Sequence, residues 1–374
     1  MLENEEFSFS EEKITPEKKT KWPKTVIIVL SVLMAILIVF AIVAVVFVKT
    51  NFNYKYNKLT KNPTDLGFQE VIEEKNINIA LFGIDTREEN SFSGRSDSIM
   101  IMNVNTETNK IKLISVMRDS FVPIDDGNKQ KITKINSAYA TGGPELAIKT
   151  LNTIFGLDIS EYATVNFEGM ADIIDAVGGI DVELTQEELR SINGMAYEQA
   201  KKYGGEKDDY MLYDGGKTHL NGLQAVAYSR IRYVANAQGT SNDYGRTDRQ
   251  RYVLNQLFNK AKTIKKSEYM GLIKKLLPCC ETSLSYGEIL NISLSVLLES
   301  PTLEETRIPS TDYIMQAPKT NAGSVVYYDL NFAARLIHSF IYDDIKPEDY
   351  IAANGIQKND WYTQGYNPPI FEKR

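Results

Sequence analysis

The sequence predicts an α/β domain whose central β-sheet, mostly antiparallel or mixed, is flanked by helices and preceded by one transmembrane helix. Three observations carry that expectation. Ile77 to Phe82, Ile99 to Val104 and Ile111 to Val116 are short apolar runs separated by turn signals, the pattern of strands. Downstream, longer segments repeat apolar residues at helical spacing and end on glycine. Before both, Thr25 to Val48 holds no charged residue.

That apolar run is the first element to justify. At about 1.5 Å per residue it covers a hydrocarbon core of roughly 30 Å with some tilt. A buried core helix would show a polar stripe. A cleaved signal would be shorter and be followed by a small-x-small site. Lys18, Lys19, Lys21 and Lys24 crowd its N-terminal flank, whereas Lys49, Lys55, Lys58 and Lys61 are spread along the other. The bias slightly favours a cytoplasmic N-terminus. The expected organisation is a cytoplasmic tail (1–24), an uncleaved anchor (25–48), a polar stalk (49–75), an extracytoplasmic domain (76–345) and a loosely packed C-terminal tail (346–374). The chain is therefore expected in the cell membrane as a single-pass protein.

Within the domain, the polar linker Asn105 to Lys110 suits a hairpin between the second and third strands. If all three strands form an antiparallel meander, Asp85, Asp97 and Arg118 fall at one end of the sheet. Helices are expected at Pro144 to Phe155, capped by Gly156, at Phe167 to Val177, at Gly222 to about Ile231 and at Asp243 to Ala261. A short strand, Ile180 to Leu184, follows the second helix. Gln186 to Asp214 reads as an excursion loop with some helix. Thr306 to Ile308 and Ser324 to Tyr328 look strand-like, and Leu330 to Tyr342 helical.

The composition, 43% hydrophobic and 24% charged, is that of a globular protein. A net charge of −7 argues against a general nucleic-acid binder. Any anion site must therefore be built locally. Four segments hold eight of the twelve arginines: GIDTR, GRSDS, MRDS and the stretch from Tyr228 to Arg251. Elsewhere the basic residue is nearly always lysine, and the guanidinium fork grips phosphate in a bidentate way that an ammonium does not.

Asp85 and Asp97 are the candidates for a divalent metal, since Mg²⁺ takes one or two carboxylates beside phosphate oxygens and water. His219 and His338 stand far apart and read as structural. In the helix from Asp243, Arg246, Arg249 and Gln250 share one face near a helix N-terminus, which favours anions, while Arg251 lies off that face toward solvent. Arg230 and Arg232 would face one way only in an extended segment. Surface salt bridges, for example to Asp248, are the alternative at each position. Gly215-Gly216-Lys217-Thr218 resembles the end of a P-loop, but Met211 stands where its first glycine is required. There is no G-x-S-x-G elbow and no dinucleotide fingerprint. Adjacent Cys279 and Cys280 suit small apolar residues ending a helix better than a strained vicinal disulfide.

Seven segments in order resemble the LytR-CpsA-Psr family of cell-envelope proteins. They are GIDTR, GRSDSIMIMN, SVMRDS, KINSAYATGG, IIDAVGGIDV, LNGLQAVAYSRIR and DYGRTDRQR, within roughly residues 77 to 260. The resemblance implies a phosphotransferase. It would move a glycopolymer, such as teichoic acid or capsule, from an undecaprenyl-pyrophosphate-type carrier to a peptidoglycan sugar hydroxyl. The carrier's polyprenyl tail would occupy an apolar tunnel between sheet and helices. It also implies Mg²⁺ (or Mn²⁺) at Asp85 and Asp97 and a pyrophosphate among Arg95, Arg118, Arg230, Arg232, Arg246 and Gln250. Asp85, Arg118 and Arg230 would act in catalysis, with Asp243 and Arg249 in support. A metal-dependent polyprenyl-pyrophosphatase and a non-catalytic envelope regulator or scaffold remain the alternatives. The chain departs from the family pattern at Val116-Met117, where Ile-Pro is common, and in a long insert from Tyr233 to Asn242.

Overall fold

The structure is a computed structural model. It describes residues 54–356 apart from 61, 69–70, 87–90, 266, 300, 316 and 318. These belong to the unit Asn53–Arg374. The tail and anchor expected over 1–48 lie outside the described residues, as do Arg87 and residues 357–374. Among the described residues no helix is long and apolar enough to cross a membrane.

In chain order the strands are β1 (Lys55–Tyr56), β2 (Asn76–Ile84), β3 (Ser96–Asn105), β4 (Lys110–Val116), β5 (Phe121–Asp125), β6 (Gln130–Lys134), β7 (Glu161–Asn166), β8 (Ile180–Leu184), β9 (Gly216–Leu220), β10 (Cys280–Thr282) and β11 (Thr302–Ile308). The helices are α1 (Ser137–Phe155), α2 (Phe167–Ala176), α3 (Gln186–Tyr203), α4 (Gly222–Arg230), α5 (Asn242–Thr263), α6 (Tyr269–Leu276), α7 (Tyr286–Glu299), α8 (Leu330–Tyr342) and α9 (Pro347–Ala353). Seven strands form one mixed sheet in the order β1-β10-β7-β2-β3-β4-β11. The expected meander is its centre, with β2–β3 and β3–β4 antiparallel, while β7 and β11 join in parallel.

Strand alternation sorts the core. Ala80, Phe82, Ile84, Ile99 and Ile101 point to one face and pack with α1 and α8. Leu81, Gly83, Ser98, Met100, Ala163 and Val165 point to the other. Over that second face lies a layer with its own apolar core, drawn from α2, α3, α4, α5 and the β8–β9 hairpin. The result is helix, sheet, helix, the layering expected for this class.

Local signals account for the helix ends. Gly156 adopts φ 64 and ends α1 in the left-handed conformation. Pro144 opens the second part of α1 after a kink at Gly142 and Gly143, so the helix begins earlier than the apolar pattern suggested. Asn166 caps α2 by accepting from the Gly169 N–H.

Several expectations need extension or correction. The helix expected within the Gln186 to Asp214 excursion, α3, runs to 18 residues and is started by a capping box between Thr185 and Glu188. Only a thin apolar stripe, Leu189, Ile192 and Ala196, is buried there, so periodicity was weak. The stalk over 49–75 is, from residue 54, part of the domain. Leu59 and Leu66 are in the core, β1 extends the sheet, and the Ile72 N–H donates to Asp158 Oδ2 at 2.7 Å. The tail after Lys346 begins with α9, whose Tyr350 and Ile351 pack on the core. Ser324 to Tyr328 makes isolated bridges rather than a strand. Cys279 ends a 3-10 turn after α6, as expected, while Cys280 opens β10, which lies between β1 and β7, and both cysteines are free thiols.

One buried ion pair ties the second layer together. The Arg249 Nε donates to Glu188 Oε1 at 2.8 Å, with both side chains at most 1% exposed. The same guanidinium donates to the Ile231 and Val234 carbonyls at 3.1 and 2.8 Å. Removing one partner leaves a buried charge uncompensated. Glu188→Ala is therefore expected to destabilise the domain by about 3–5 kcal/mol, read as a lower urea midpoint on the full chain. A midpoint equal to the parent's would show that the pair does not hold this layer.

Candidate functional site

The antiparallel meander brings the C-terminal ends of β2 and β4 beside the start of β3. A register shift between Gly83 and Ile84 puts a bulge at that end of β2, a common device for re-aiming a side chain. Asp85, Asp97 and Arg118, expected at one end of the sheet, line a single pocket of about 370 Å³. Arg95, Asp119, Lys134 and Asn136 complete it. The last three were not singled out from the sequence, although Asp119 sits in MRDS and Lys134 and Asn136 in KINSAYATGG. Their signal was adjacency to Arg118: the Asn136 N–H donates to the Arg118 carbonyl at 3.2 Å.

Four of the pocket's charged side chains are already paired. Arg118 Nη1 lies 2.7 Å from Asp97 Oδ1, and its Nη2 lies 3.7 Å from Asp243 Oδ1. Asp119 holds Lys134 at 2.9 Å. Asp243, at the start of α5, is also 2.9 Å from Arg232 Nε and 3.2 Å from Arg246 Nη2. Arg118 thus joins the strand-end pocket to an arginine cluster centred on Asp243. At Gly245 in this first turn of α5, a Cβ would meet the Thr240 carbonyl at 2.5 Å, so glycine lets the helix start approach the preceding loop.

Burial and charge act in opposite directions here. Burial raises the Asp243 pKa, but the charges of Arg246, Arg118 and Arg232 act against it and the carboxyl is held below its ordinary value. Burial and the neighbouring Arg118 push Arg246 down to about 10, which leaves it cationic at neutral pH. Burial also opposes the charge of Arg118, yet Asp97, Asp119 and Asp243 raise it overall.

The remaining predicted residues divide. Arg230 ends α4 and stacks on Phe167, its guanidinium carbon 4.4 Å from the ring centre. Phe167 and Gln250 both line an apolar cavity of about 220 Å³ between the sheet and helices α2, α4 and α5. Ser98, next to Asp97, lines it too, and Ile84, next to Asp85, borders it although Ile84 belongs to the core on the opposite face. The cavity's sheet wall sets the small residues Gly83, Ser98 and Ala163 among larger ones such as Leu81 and Val165. At Gly83 a Cβ would come within 3.0 Å of the Ser98 Cβ. Arg249 does not share the ligand-facing side with Arg246; it is committed to Glu188 in the core. Arg251 is not turned to solvent but sits half-buried, 2.7 Å from Asp248. Arg307, unremarked in the sequence, reaches the same Asp248 oxygen at 2.7 Å.

The residues fit a divalent cation in one particular way. Two carboxylates, Asp85 and Asp97, share the pocket with the buried Asn136 Oδ1, which has no hydrogen-bond partner. Oxygen donors of this kind suit Mg²⁺ completed by water and phosphate oxygens. Among the described residues no group of three or more His, Cys, Asp or Glu could hold a metal. A cation would therefore depend on ligands from the bound phosphate.

Residues 42–331 match the model of the LytR_cpsA_psr family. The chain is 30% identical over 283 residues to a polyisoprenyl-teichoic acid–peptidoglycan teichoic acid transferase, TagU, of Bacillus mycoides, covering 75% of this chain and 83% of TagU. It is 30% identical over 207 residues to the corresponding transferase TagV of Bacillus subtilis, covering 55% of this chain and 49% of TagV. Thus the chain spans about half the length of the first curated relatives it matches. In fold it is similar to the family protein YwtF (TagT) with bound octaprenyl pyrophosphate lipid, with a TM-score of 0.53 and 17% identity over 76% of this chain and 99% of that one.

The electrostatics yield a pH test. Because the Asp243 pKa is depressed on folding, its contribution is present above the unfolded carboxylate value of about 3.9 and is lost as pH falls through the folded value. Asp243→Asn should therefore melt below the parent at pH 7, and the gap should close below about pH 4. Paired thermal melts of the full chain check this. A gap that stays constant across the range contradicts the assignment.

Proposed function

The chain belongs to the LytR-CpsA-Psr family, and on that premise we propose that it is a phosphotransferase acting on a polyprenyl-pyrophosphate-linked glycopolymer, with a peptidoglycan sugar hydroxyl as acceptor. The observation that carries the reading is a juxtaposition. A cluster of arginines joined through Arg118 and Asp243 adjoins an apolar cavity whose lining residues neighbour Asp85 and Asp97. A charged head on an apolar tail is the ligand such a pair of surfaces suits. The curated relatives' names and the lipid bound to the solved relative support the same class.

Phosphoryl transfer asks a protein mainly for positioning and charge neutralisation. Arg95, Arg118, Arg232 and Arg246 would surround the pyrophosphate oxygens, with Asp243 fixing their orientation. Arg230 and Gln250 would bind where the head meets the cavity. Mg²⁺ or Mn²⁺, held by Asp85 and Asp97, would supply further neutralisation on the phosphate oxygens. Asp85 is exposed and would take the proton of the acceptor hydroxyl as its oxygen attacks the phosphorus bearing the polymer. A phosphodiester bond forms, the bond to the bridging oxygen breaks, and polyprenyl phosphate leaves. The apolar run at 25–48 supports a single anchor with the domain outside the cell, which would raise the effective concentration of a membrane-borne donor.

Arg118→Ala and Asp97→Ala should each lower transfer of a polyprenyl-pyrophosphate sugar to a peptidoglycan acceptor, about a thousandfold for the arginine, with unchanged circular dichroism. Full activity in either variant would sink the site assignment. Phosphate release that continues unchanged without acceptor would instead favour a pyrophosphatase. For the cavity, Ala163→Phe should abolish co-purification of polyprenyl phosphate, read by mass spectrometry of the full chain extracted in detergent. Undiminished lipid in that variant would place the tail elsewhere.

A further inference from the structure

A second cavity, of about 520 Å³, lies on the other side of α5. The phase of the helix creates the division. Gln250, Val253, Leu254 and Leu257 stand at i, i+3, i+4 and i+7 and line the apolar cavity. Asp248, Arg251, Tyr252 and Asn255 have the same spacing on the opposite side and line the polar one. Arg307 and Glu305 of β11 and Glu183 of β8 form further walls. The phosphate chemistry described above uses none of these side chains.

Charge limits what the polar cavity can hold. Arg249 is neutralised internally by Glu188. Arg251 and Arg307 converge on one oxygen of Asp248, each at 2.7 Å. Glu183 and Glu305 are exposed and add two more carboxylates. A phosphate would meet more negative than positive charge, so this is a poor anion site.

What the cavity offers is directed hydrogen bonding beside an aromatic ring. The Arg251 and Arg307 Nε groups are buried with no hydrogen-bond partner. Asn255 accepts from Asn259 through Oδ1, which leaves its NH₂ as a donor. Tyr252 is 37% exposed and is held by a bond from its hydroxyl to the Asp181 carbonyl at 3.3 Å and by an edge contact with Tyr228. A planar guanidinium donates paired bonds to neighbouring hydroxyls, a carboxylate accepts them and an amide does both, while a ring face packs against sugar C–H groups. We propose that this cavity binds an uncharged saccharide. The proposal is independent of the phosphotransfer reading.

Saturation-transfer NMR on the full chain with N-acetylchitotetraose as probe tests it. Transfer to the sugar protons is expected, weakened about tenfold by Tyr252→Ala and by Asn255→Leu, with parental melting temperatures. Arg118→Ala should leave the signal in place. Absence of transfer to the parent, or an undiminished signal in both cavity variants, overturns the proposal. So does displacement of the tetrasaccharide by inorganic phosphate, or loss of the signal in Arg118→Ala, because either would locate the probe in the phosphate pocket.

Discussion

The buried Arg249–Glu188 pair is the interaction on which the rest of the site depends. One guanidinium reaches the capped start of α3 and two carbonyls of the chain leaving α4. That chain carries Arg230 and Arg232, and α5 itself carries Asp243 and Arg246. Fixing Arg249 therefore fixes the spacing between two groups of arginines that face the same end of the sheet. A lysine would serve poorly, since a single ammonium lacks the planar fork that satisfies three directions at once.

The sheet divides its own surface between stability and space. Large residues such as Phe82, Ile84 and Ile101 fill the face under α1 and α8. On the face under α2, α4 and α5, small residues, Gly83, Ser98 and Ala163, stand among Leu81, Met100 and Val165 where the apolar cavity opens. Because strand alternation couples the two faces, the same nine residues of β2 supply a packed core and a cavity wall. They end at a bulge beside Asp85.

Electrostatically the pocket is pre-paired rather than bare. Each arginine near Asp243 leans on a carboxylate, which offsets mutual repulsion among Arg118, Arg232 and Arg246 in a half-buried place. Arg246 shows the residual strain, its pKa held down first by burial and then by Arg118. An incoming anion would exchange partners within this network instead of filling an empty positive hole, so affinity and carboxylate orientation are coupled.

Much of this was legible in the residues. The meander, the strand-end meeting of Asp85, Asp97 and Arg118, the glycine that ends α1 and the family itself could be read from short runs, turns and ordered motifs. These are local or topological facts, and local chemistry encodes them. Other features were not legible. The extent of helix α3 was not, because its apolar stripe is thin and the segment showed only some helix within a loop. Residues 54–75 looked like a stalk because their two buried leucines are widely spaced. Arg249 and Arg251 were placed by helix phase alone, which gives a direction but not what waits there. The sequence by itself determined the layer order and which residues could carry charge to one end of the sheet. Only the tertiary structure decided which arginine faces a ligand and which is committed to the core. That choice depends on Glu188 and Asp248 arriving from elsewhere in the chain, or on the next turn, to neutralise a buried guanidinium.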